Sequence, residues 1–256
     1  MKNEIHFYEH NKIEVLFSHS SHTFPVHSHD AYCIGIVQDG NIAFTIAGKK
    51  KAMNPGDLFV IPSDYPVKIV TTSEYRYITI CFKGRWKTEL LKLQLKDYYA
   101  AADLCEFENA CLKFAENDSL ESAKFLVKTV KSMIKPIVQT RREAVEMSEQ
   151  RKTAREICEY IQEHVNEAYR VDEIAEAIHL SKYYLERLFK REMGITPHQY
   201  YTQAKIREAK KKLYSSEKAV NIAADLGFSD QSHLSHSFYK LMGITPKDYE
   251  DNYHAR

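Results

Sequence analysis

Long apolar runs are missing from this 256-residue sequence. Because a bilayer-spanning helix needs about 20 consecutive apolar residues, we expect no membrane span. The first residues, MKNEIHFYEHNK, are polar and charged, which is unlike a secretory signal peptide. Glycine and proline are also scarce, at 8 and 7 residues, and 44% of the residues are hydrophobic. This composition is typical of a soluble globular protein with one large or two ordinary domains.

Cysteine is sparse and irregularly spaced. The five cysteines are Cys33, Cys81, Cys105, Cys111 and Cys158. An odd number of scattered thiols does not form a disulfide framework, and the spacing is not that of a zinc finger. We therefore expect reduced, mostly buried thiols and a cytoplasmic location.

A strong overall charge is also lacking, since the formal net charge is +1. One segment departs from this balance: residues 181–218 contain ten Lys and Arg but four Glu, a difference of +6. Such a basic stripe is suited to contact phosphate groups. The alternative is an ordinary solvated helix face.

An internal repeat organises the C-terminal half. The string MGITP occurs at 193–197 and again at 242–246, an offset of 49 residues. Upstream the offset falls to 48, so that Ser181 pairs with Ser229 and the second copy has one extra residue just after its serine. The chain therefore carries two copies of one unit.

Each copy predicts two helices joined by a tight turn. Apolar residues recur at helical spacing on both sides of each turn. We expect Ser181 and Ser229 to cap the second helices, and Gly194 to form a left-handed C-terminal cap. Pro197 to about Tyr214 predicts one continuous connecting helix. The arrangement is that of a helix-turn-helix, whose second helix enters the major groove of DNA.

Polar side chains point away from the apolar stripe of each second helix. In the first copy they are Lys182, Tyr183, Glu186, Arg187 and Lys190, and in the second copy they are Asp230, Gln231, Ser232, Ser235, His236 and Tyr239. Arginine can bond guanine in two places, glutamine can do so with adenine, and glutamate can accept from cytosine. These residues are the candidate DNA contacts.

The segment from about Thr153 to Tyr253 resembles the DNA-binding domain of the AraC/XylS family. The resemblance lies in IAEAIHLSKYYLERLFKREMGITPHQYY at 174–201 and IAADLGFSDQSHLSHSFYKLMGITPKDY at 222–249. It implies a bacterial transcription regulator whose base-reading positions are Tyr183, Glu186, Arg187, Gln231, Ser232, Ser235 and His236. His236 stands where the family commonly has arginine, and Tyr239 where it commonly has lysine. We therefore hypothesise that the second unit binds DNA more weakly and with more dependence on pH.

The N-terminal half, from about Ile5 to Phe82, alternates with a period of two, as in Ile42, Phe44 and Ile46. Short strands separated by frequent turn signals predict a small antiparallel barrel or jelly roll. The pieces HSHDAYCIGIVQDG (27–40) and PGDLFVIP (55–62) resemble the cupin fold, in particular the sensor domain of AraC-type regulators. The predicted fold class is thus a two-domain α+β protein, with an all-α double helix-turn-helix domain at the C-terminus.

The cupin resemblance implies a metal site with incomplete ligands. His27 and His29 match the first two ligands, but Cys33 stands at the glutamate position and Val67 at the last histidine position. Even spacing places His27, His29 and Cys33 on one face if they share a strand. Two interpretations stay open: a zinc site, or the wall of an effector pocket formed by His27, His29, Tyr32 and Cys33. The second is preferred, so no metal or other cofactor is predicted.

The predicted domains are a sensor barrel at 1–84, a helical extension at 85–136, a linker at 137–152 and the DNA-binding domain at 153–256. The family resemblance implies that the extension forms a dimer interface; its helices otherwise only pack on the barrel. Expected partners are promoter DNA, a small-molecule effector, RNA polymerase and a second copy of the chain, without a membrane. The rival function is that of a cupin oxygenase or isomerase, which needs a competent metal centre; we predict that the chain is not an enzyme.

Overall fold

The computed structural model describes residues 3–93, 95, 97–138 and 148–255. Among these residues, contacts separate two compact units. The first, here called the sheet unit, contains residues 3–23, 29–138 and 251–255. The second, here called the helical unit, contains residues 24–28 and 148–250.

Strands dominate the sheet unit. In chain order the strands of the molecule are β1 (Glu4–His10), β2 (Ile13–Ser20), β3 (Phe24–His27), β4 (Tyr32–Ile46), β5 (Lys49–Met53), β6 (Asp57–Ile61), β7 (Val67–Phe82), β8 (Tyr99–Ala101) and β9 (Tyr253–Ala255). The main sheet has the order β8-β6-β4-β7-β2-β1-β9, and β5 pairs with β4. Neighbouring strands are antiparallel except β1 and β9, which are parallel.

The predicted jelly roll is confirmed, although the described strand pairs leave the sheet open between β8 and β9. The long strands β4 and β7 pair along almost their whole length. Their register shifts between Val37 and Asp39 and again between Gly40 and Ile42. Such bulges bend a strand and increase its twist. The bend lets the first half of β4 pair with β6 and the second half with β5.

One face of the sheet packs against helices. They are α1 (Gly84–Leu90), α2 (Leu104–Glu116) and α3 (Leu120–Ile134), followed by a 3-10 turn (Lys135–Ile137). Side chains of β2, β4, β6 and β7 form one apolar cluster with these helices, which includes Ile34, Ile80, Phe107 and Leu126. The cluster is the core of the sheet unit.

The opposite face of the same strands is also buried. Residues 77–82 of β7 are buried without interruption, whereas the predicted alternation does appear at Ile42, Phe44 and Ile46. Because neighbouring residues of a strand point to opposite faces, an unbroken buried run means that both sides of β7 are covered there. Thr79 and Cys81 alternate with Ile78 and Ile80 and lie on the face away from the helices.

The helical extension is only partly helical. Within the predicted extension at 85–136, residues 104–134 contain the helices α2 and α3, and each begins at a side-chain cap, Asp103 and Ser119 respectively. The prediction is wrong for the first part of the extension, since α1 ends at Leu90 and residues 99–101 form β8. The edge of β6 binds these residues as a strand, so a tertiary contact overrides their local pattern.

Seven helices build the helical unit. They are α4 (Glu149–Glu163), α5 (Val171–Ala177), α6 (Lys182–Met193), α7 (Pro197–Tyr214), α8 (Ala219–Asp225), α9 (Gln231–Met242) and α10 (Pro246–Asn252). Of the predicted linker, residues 139–147 lie outside the described residues, and α4 takes in residues 149–152. None of the helices in the described ranges combines the length and apolarity that crossing a membrane requires.

Candidate nucleic-acid interface

The first helix-turn-helix consists of α5, a short turn and α6. His179 adopts a left-handed conformation in the turn, with φ of 57°, and the amide of Leu180 donates to the carbonyl of Ala175 at 2.9 Å. Ser181 then caps α6, because its Oγ accepts a hydrogen bond from the amide of Tyr184 at 3.4 Å. The predicted Ser181 cap is confirmed.

The second helix-turn-helix, α8 and α9, makes its turn with one residue more. Gly227 has a φ of 63° and occupies the place of His179. The predicted Ser229 cap is wrong: Asp230 caps α9, its Oδ1 accepting from the amide of His233 at 2.8 Å. This bond is the main reason that the pKa of Asp230 is lowered. Ser229 instead supports the turn through Asp230 Oδ2 at 3.3 Å and His233 Nδ1 at 3.1 Å.

Both recognition helices end in the same way. Gly194 follows α6 and Gly243 follows α9, with φ of 68° and 74°. This left-handed cap favours glycine, which has no Cβ to clash. After the first cap, Thr196 and Gln199 form a complete capping box at the start of α7. The repeated MGITP string thus encodes the end of one helix and the start of the next.

Helix α6 presents the predicted contact residues to solvent. Leu185, Leu188, Phe189 and Met193 are buried, whereas Tyr183 is 77% exposed and Glu186, Arg187 and Lys190 are also exposed. Lys182 is half-buried, and its Nζ lies 3.5 Å from Asp172 Oδ1. Helix α6 therefore has one face packed in the core and an opposite, charged face exposed to solvent.

Sequence reasoning left out Tyr184, which lies on this surface. Its side chain is 38% exposed, and the guanidinium of Arg187 lies 5.8 Å from its ring centroid. A cation near the face of an aromatic ring is attracted by it, so Tyr184 helps to orient Arg187. The helical spacing of three residues between them was the available signal.

Helix α9 presents a less charged surface. Gln231, Ser232, His236 and Tyr239 are exposed and Ser235 is half-buried, above a core of Leu234 and Phe238. Lys240 is its only lysine or arginine, which gives α9 a formal charge of +1. Helix α6 has four lysines and arginines and two glutamates, a difference of +2. Electrostatic attraction to phosphate therefore favours the first recognition helix.

The basic stripe at 181–218 is partly engaged inside the helical unit. On α7, Lys212 Nζ lies 2.9 Å from Asp225 and 3.1 Å from Glu217, and these hydrogen bonds raise its pKa. Lys205 Nζ lies 4.6 Å from the ring centroid of Tyr201 and 5.4 Å from that of Phe228, and desolvation lowers its pKa. These two lysines hold the connector against the second helix-turn-helix.

The predicted pocket residues do not lie on one strand. Strand β3 ends at His27, β4 begins at Tyr32, and His29 lies in the intervening loop. The premise that His27, His29 and Cys33 share a strand face is therefore wrong. His27 donates from Nδ1 to the carbonyl of Pro25 at 2.8 Å. Tyr32 belongs to the helix-facing core and Cys33 points to the opposite face.

The metal interpretation of the cupin pattern does not fit these residues. Val67, at the position of the last ligand, is a fully buried apolar residue without a donor atom. In the part of the chain that the structure describes, no three His, Cys, Asp or Glu side chains form a group that could hold a metal ion. The neighbour of Cys33 is instead another thiol, Cys81, with 3.2 Å between the two Sγ atoms.

Sequence reasoning missed a row of polar side chains beside Cys33. Glu14, Ser18 and Thr79 are all buried, and the register places them on the same face of the sheet as Cys33 and Cys81. Tyr77 lies beside Ser18 in this row, and its burial raises its pKa to about 12. Period-two alternation in β2 and β7 was the signal that would have grouped them.

Aromatic rings fill part of the same face. Phe59 stacks on Phe44 with 4.4 Å between ring centroids, and it presses so closely on Gly35 that a Cβ there would lie 2.2 Å from Phe59 Cζ. Only glycine is compatible with this approach. The face away from the helices thus has an aromatic part and a polar part.

Two known families match separate parts of the chain. Residues 10–123 match the family described as AraC-like ligand binding domain. Residues 174–252 match the family described as helix-turn-helix domain. The second range contains α6, α7 and α9, and the first contains the sheet from β2 to β8.

Curated relatives and solved structures agree with this division. YbfI of Bacillus subtilis, an uncharacterised HTH-type transcriptional regulator, is 27% identical over 82% of this chain and 81% of its own length. The regulatory protein SoxS of Salmonella typhimurium is 32% identical over 36% of this chain and 88% of its own. Apo ToxT of Vibrio cholerae covers 95% of this chain and 98% of its own, with a TM-score of 0.67 and 12% identity.

At 12% identity the likeness to ToxT supports the fold alone, whereas the matches to both domain families and to SoxS carry the family assignment. The two helix-turn-helix units, with their MGITP ends, account physically for the match to the helix-turn-helix domain family. The chain belongs to the AraC family of transcriptional regulators.

Proposed function

We propose that this regulator reads promoter DNA mainly through α6, with Tyr183, Glu186 and Arg187 facing the bases and Lys182 and Lys190 near phosphates. The observation that carries the proposal is the exposure of Tyr183, Glu186, Arg187 and Lys190 above a fully buried core. An exposed polar face on a rigid helix is the form in which a helix-turn-helix enters the major groove. Phosphate contacts would supply much of the affinity, which would then fall steeply with salt.

In this proposal α9 contributes less to DNA binding than α6. Gln231, Ser232, Ser235 and His236 would face the second groove, but their helix carries a single lysine. Helix α7, with 18 residues, is about 27 Å long. It packs against both α6 and α9 and so fixes their separation. Two recognition helices held at a fixed separation can enter two successive major-groove segments on one side of the duplex.

A small-molecule effector is part of the proposal. On the sheet face that carries Cys33, the buried row of Glu14, Ser18, Thr79 and Tyr77 supplies polar groups that can orient a ligand. One ToxT structure contains a bound unsaturated fatty acid, with a TM-score of 0.62 and 11% identity.

We also propose that the chain acts as a regulator without enzymatic activity, in the cytoplasm, where promoters and RNA polymerase are found. RNA polymerase is the partner through which it would activate or repress transcription. A homodimer would bring two copies to one promoter. Support for the dimer comes from exposed apolar side chains on α2 and α3, namely Leu112, Leu120 and Phe125.

The function is tested by selecting bound sequences from random duplexes with the full-length protein at near-physiological salt. We expect a bipartite motif with its two parts roughly 34 Å, one helical turn, apart. A motif with one part would mean that α9 only clamps phosphate. If no sequence is enriched with or without cell metabolites, the proposed function is wrong.

The selected site allows a test of Arg187. Replacing Arg187 with alanine is expected to weaken binding to that site by about 1–3 kcal/mol, or about 5- to 150-fold, because a bidentate contact to guanine is lost. Specificity should relax at one base pair. Electrophoretic mobility shifts on single-base variants of the site would measure both effects.

Arg155→Ala is the matched control, since Arg155 is an exposed arginine of α4 that pairs with Glu159. Its affinity should equal that of the wild type. An equal loss of Arg187→Ala affinity on the selected site and on random DNA would contradict base reading and leave Arg187 as a phosphate contact.

His236 should make binding depend on pH. A protonated imidazole carries a positive charge, which attracts phosphate. Lowering the pH from 8 to 6 should therefore tighten wild-type binding by about 3- to 10-fold, or about 0.7–1.4 kcal/mol. Fluorescence anisotropy on the selected site at constant ionic strength measures the trend.

Two variants isolate the imidazole. His236→Ala should lose the pH dependence, and His236→Arg should bind tightly at both pH values, because arginine stays charged. On α9, the residues one turn away from His236 are Ser232, His233, Tyr239 and Lys240, and all four are kept in each variant. The same pH slope in the wild type and in His236→Ala would rule out this role.

The dimer is tested at Phe125, whose side chain is 46% exposed. Phe125→Asp places a charge in the proposed interface and should convert a dimer into a monomer in sedimentation velocity. Val70→Asp, at a 39% exposed apolar residue of β7, is the control and should stay dimeric. A dimeric Phe125→Asp protein, or a monomeric wild type, would contradict the proposed interface.

A further inference from the structure

Two thiols lie side by side within the sheet unit. Cys33 on β4 and Cys81 on β7 are directly opposite each other in the antiparallel register, and their Sγ atoms are 3.2 Å apart. Both cysteines are free and buried. The proposed DNA-binding site uses neither of them.

Their backbone positions suit a covalent bond. Directly opposite residues of an antiparallel pair have Cα atoms about 4.5–5.5 Å apart, and disulfides join Cα atoms about 4.4–6.8 Å apart. The two Sγ atoms need to approach from 3.2 Å to about 2.05 Å. Small rotations of the two side chains can supply this movement without separating β4 from β7.

The surroundings make the two thiols unequal. Cys33 is 0% exposed and Cys81 is 8% exposed, so a reagent that enters from solvent meets Cys81 first. The hydrogen bond with Cys81 and then burial hold the pKa of the Cys33 thiol well above its usual value. Cys33 is therefore the poorer first nucleophile and the better placed second one.

From this geometry we infer that Cys33 and Cys81 form an oxidation site of the sensor, at which a small uncharged hydroperoxide converts the thiol pair into a cross-strand disulfide. Burial selects the class of oxidant, because a charged or bulky disulfide reagent cannot reach Sγ atoms that are covered on both sides. Hydrogen peroxide is small and uncharged, which suits a site where the more accessible residue, Cys81, is only 8% exposed.

The chemistry balances in two steps. The Cys81 thiol gives up its proton, and its Sγ attacks one oxygen of the hydroperoxide, breaking the O–O bond and releasing water or an alcohol while Cys81 becomes a sulfenic acid. Cys33 Sγ then attacks Cys81 Sγ, the S–O bond breaks, and the hydroxyl group leaves as water after taking the proton of the Cys33 thiol. Overall, two thiols and one hydroperoxide give one disulfide, one water and one water or alcohol.

The remaining cysteines supply the controls. Cys105 is exposed on α2 and would react with bulk oxidant or join two chains, so the test uses the full-length Cys105→Ser variant. Cys111 is buried in the core formed with α2 and α3. A Cys105→Ser/Cys111→Ser variant therefore removes a buried thiol outside the pair.

The experiment treats the folded Cys105→Ser protein with graded hydrogen peroxide, quenches the reaction, and counts free thiols after denaturation. Four cysteines remain in this variant, and we expect two free thiols after oxidation. Non-reducing peptide mapping should find one cross-link, between Cys33 and Cys81, with the mass lowered by two hydrogen atoms. Dithiothreitol should restore all four thiols.

The variants separate a specific site from general oxidation. Loss of two thiols should persist in Cys105→Ser/Cys111→Ser. In Cys33→Ser/Cys105→Ser the disulfide should be absent, and a sulfenic acid at Cys81 should be trapped by dimedone. Four intact thiols after treatment, a different cross-link, or a bond that forms only in denaturant would overturn the inference. No step involves DNA, so the outcome is independent of the proposed DNA-binding function.

Discussion

Packing on the connector helix α7 is the constraint on which the whole helical unit depends. Tyr200 meets Phe189 of α6 edge to face, with 5.6 Å between ring centroids, while Lys205 lies over Phe228 beside the second turn. Further along, Lys212 is bound by Asp225 of α8. Neither short helix-turn-helix has enough apolar surface to fix its own orientation, since α5 and α8 are seven residues each. Helix α7 supplies that surface to both units, with α4 adding to it at the first unit, and both recognition helices are thereby held on one shared helix.

The use of charge follows from this packing. Lysines of α7 are engaged with carboxylates and aromatic rings of the helical unit, whereas the positive groups of α6 extend from its solvent-facing side. The formal net charge of +1 therefore does not show that some cationic side chains are engaged within the helical unit while others are exposed on its surface. A protein of balanced charge can bind a polyanion when its cations lie on one helix face, because screening confines their interaction to about 10 Å.

In the sheet unit, burial on both faces of β7 has a comparable effect. The face toward the helices is an apolar core, and the other face carries Thr79, Cys81 and their neighbours in register. Polar and thiol groups placed there are shielded from water, so hydrogen bonds and proton affinities differ from those in solution. This face brings together the groups that an effector or a small oxidant would meet.

Local signals in the sequence determined the helix ends and the repeated unit. MGITP encodes a left-handed cap and a new helix start wherever it occurs, and apolar spacing identified the buried side of α6. The extra residue of the second copy was visible as a change of offset, but only the structure decided that Asp230 and not Ser229 caps α9, because serine and aspartate are both favoured N-cap residues. The sequence also did not predict which strands pair. Strand β8 forms because it pairs with the edge of β6, and Cys33 contacts Cys81 because the register of β4 and β7 places them opposite each other. Caps depend on atoms a few residues apart, which a sequence contains in full, whereas register depends on partners 48 residues away, which only the folded chain brings into contact.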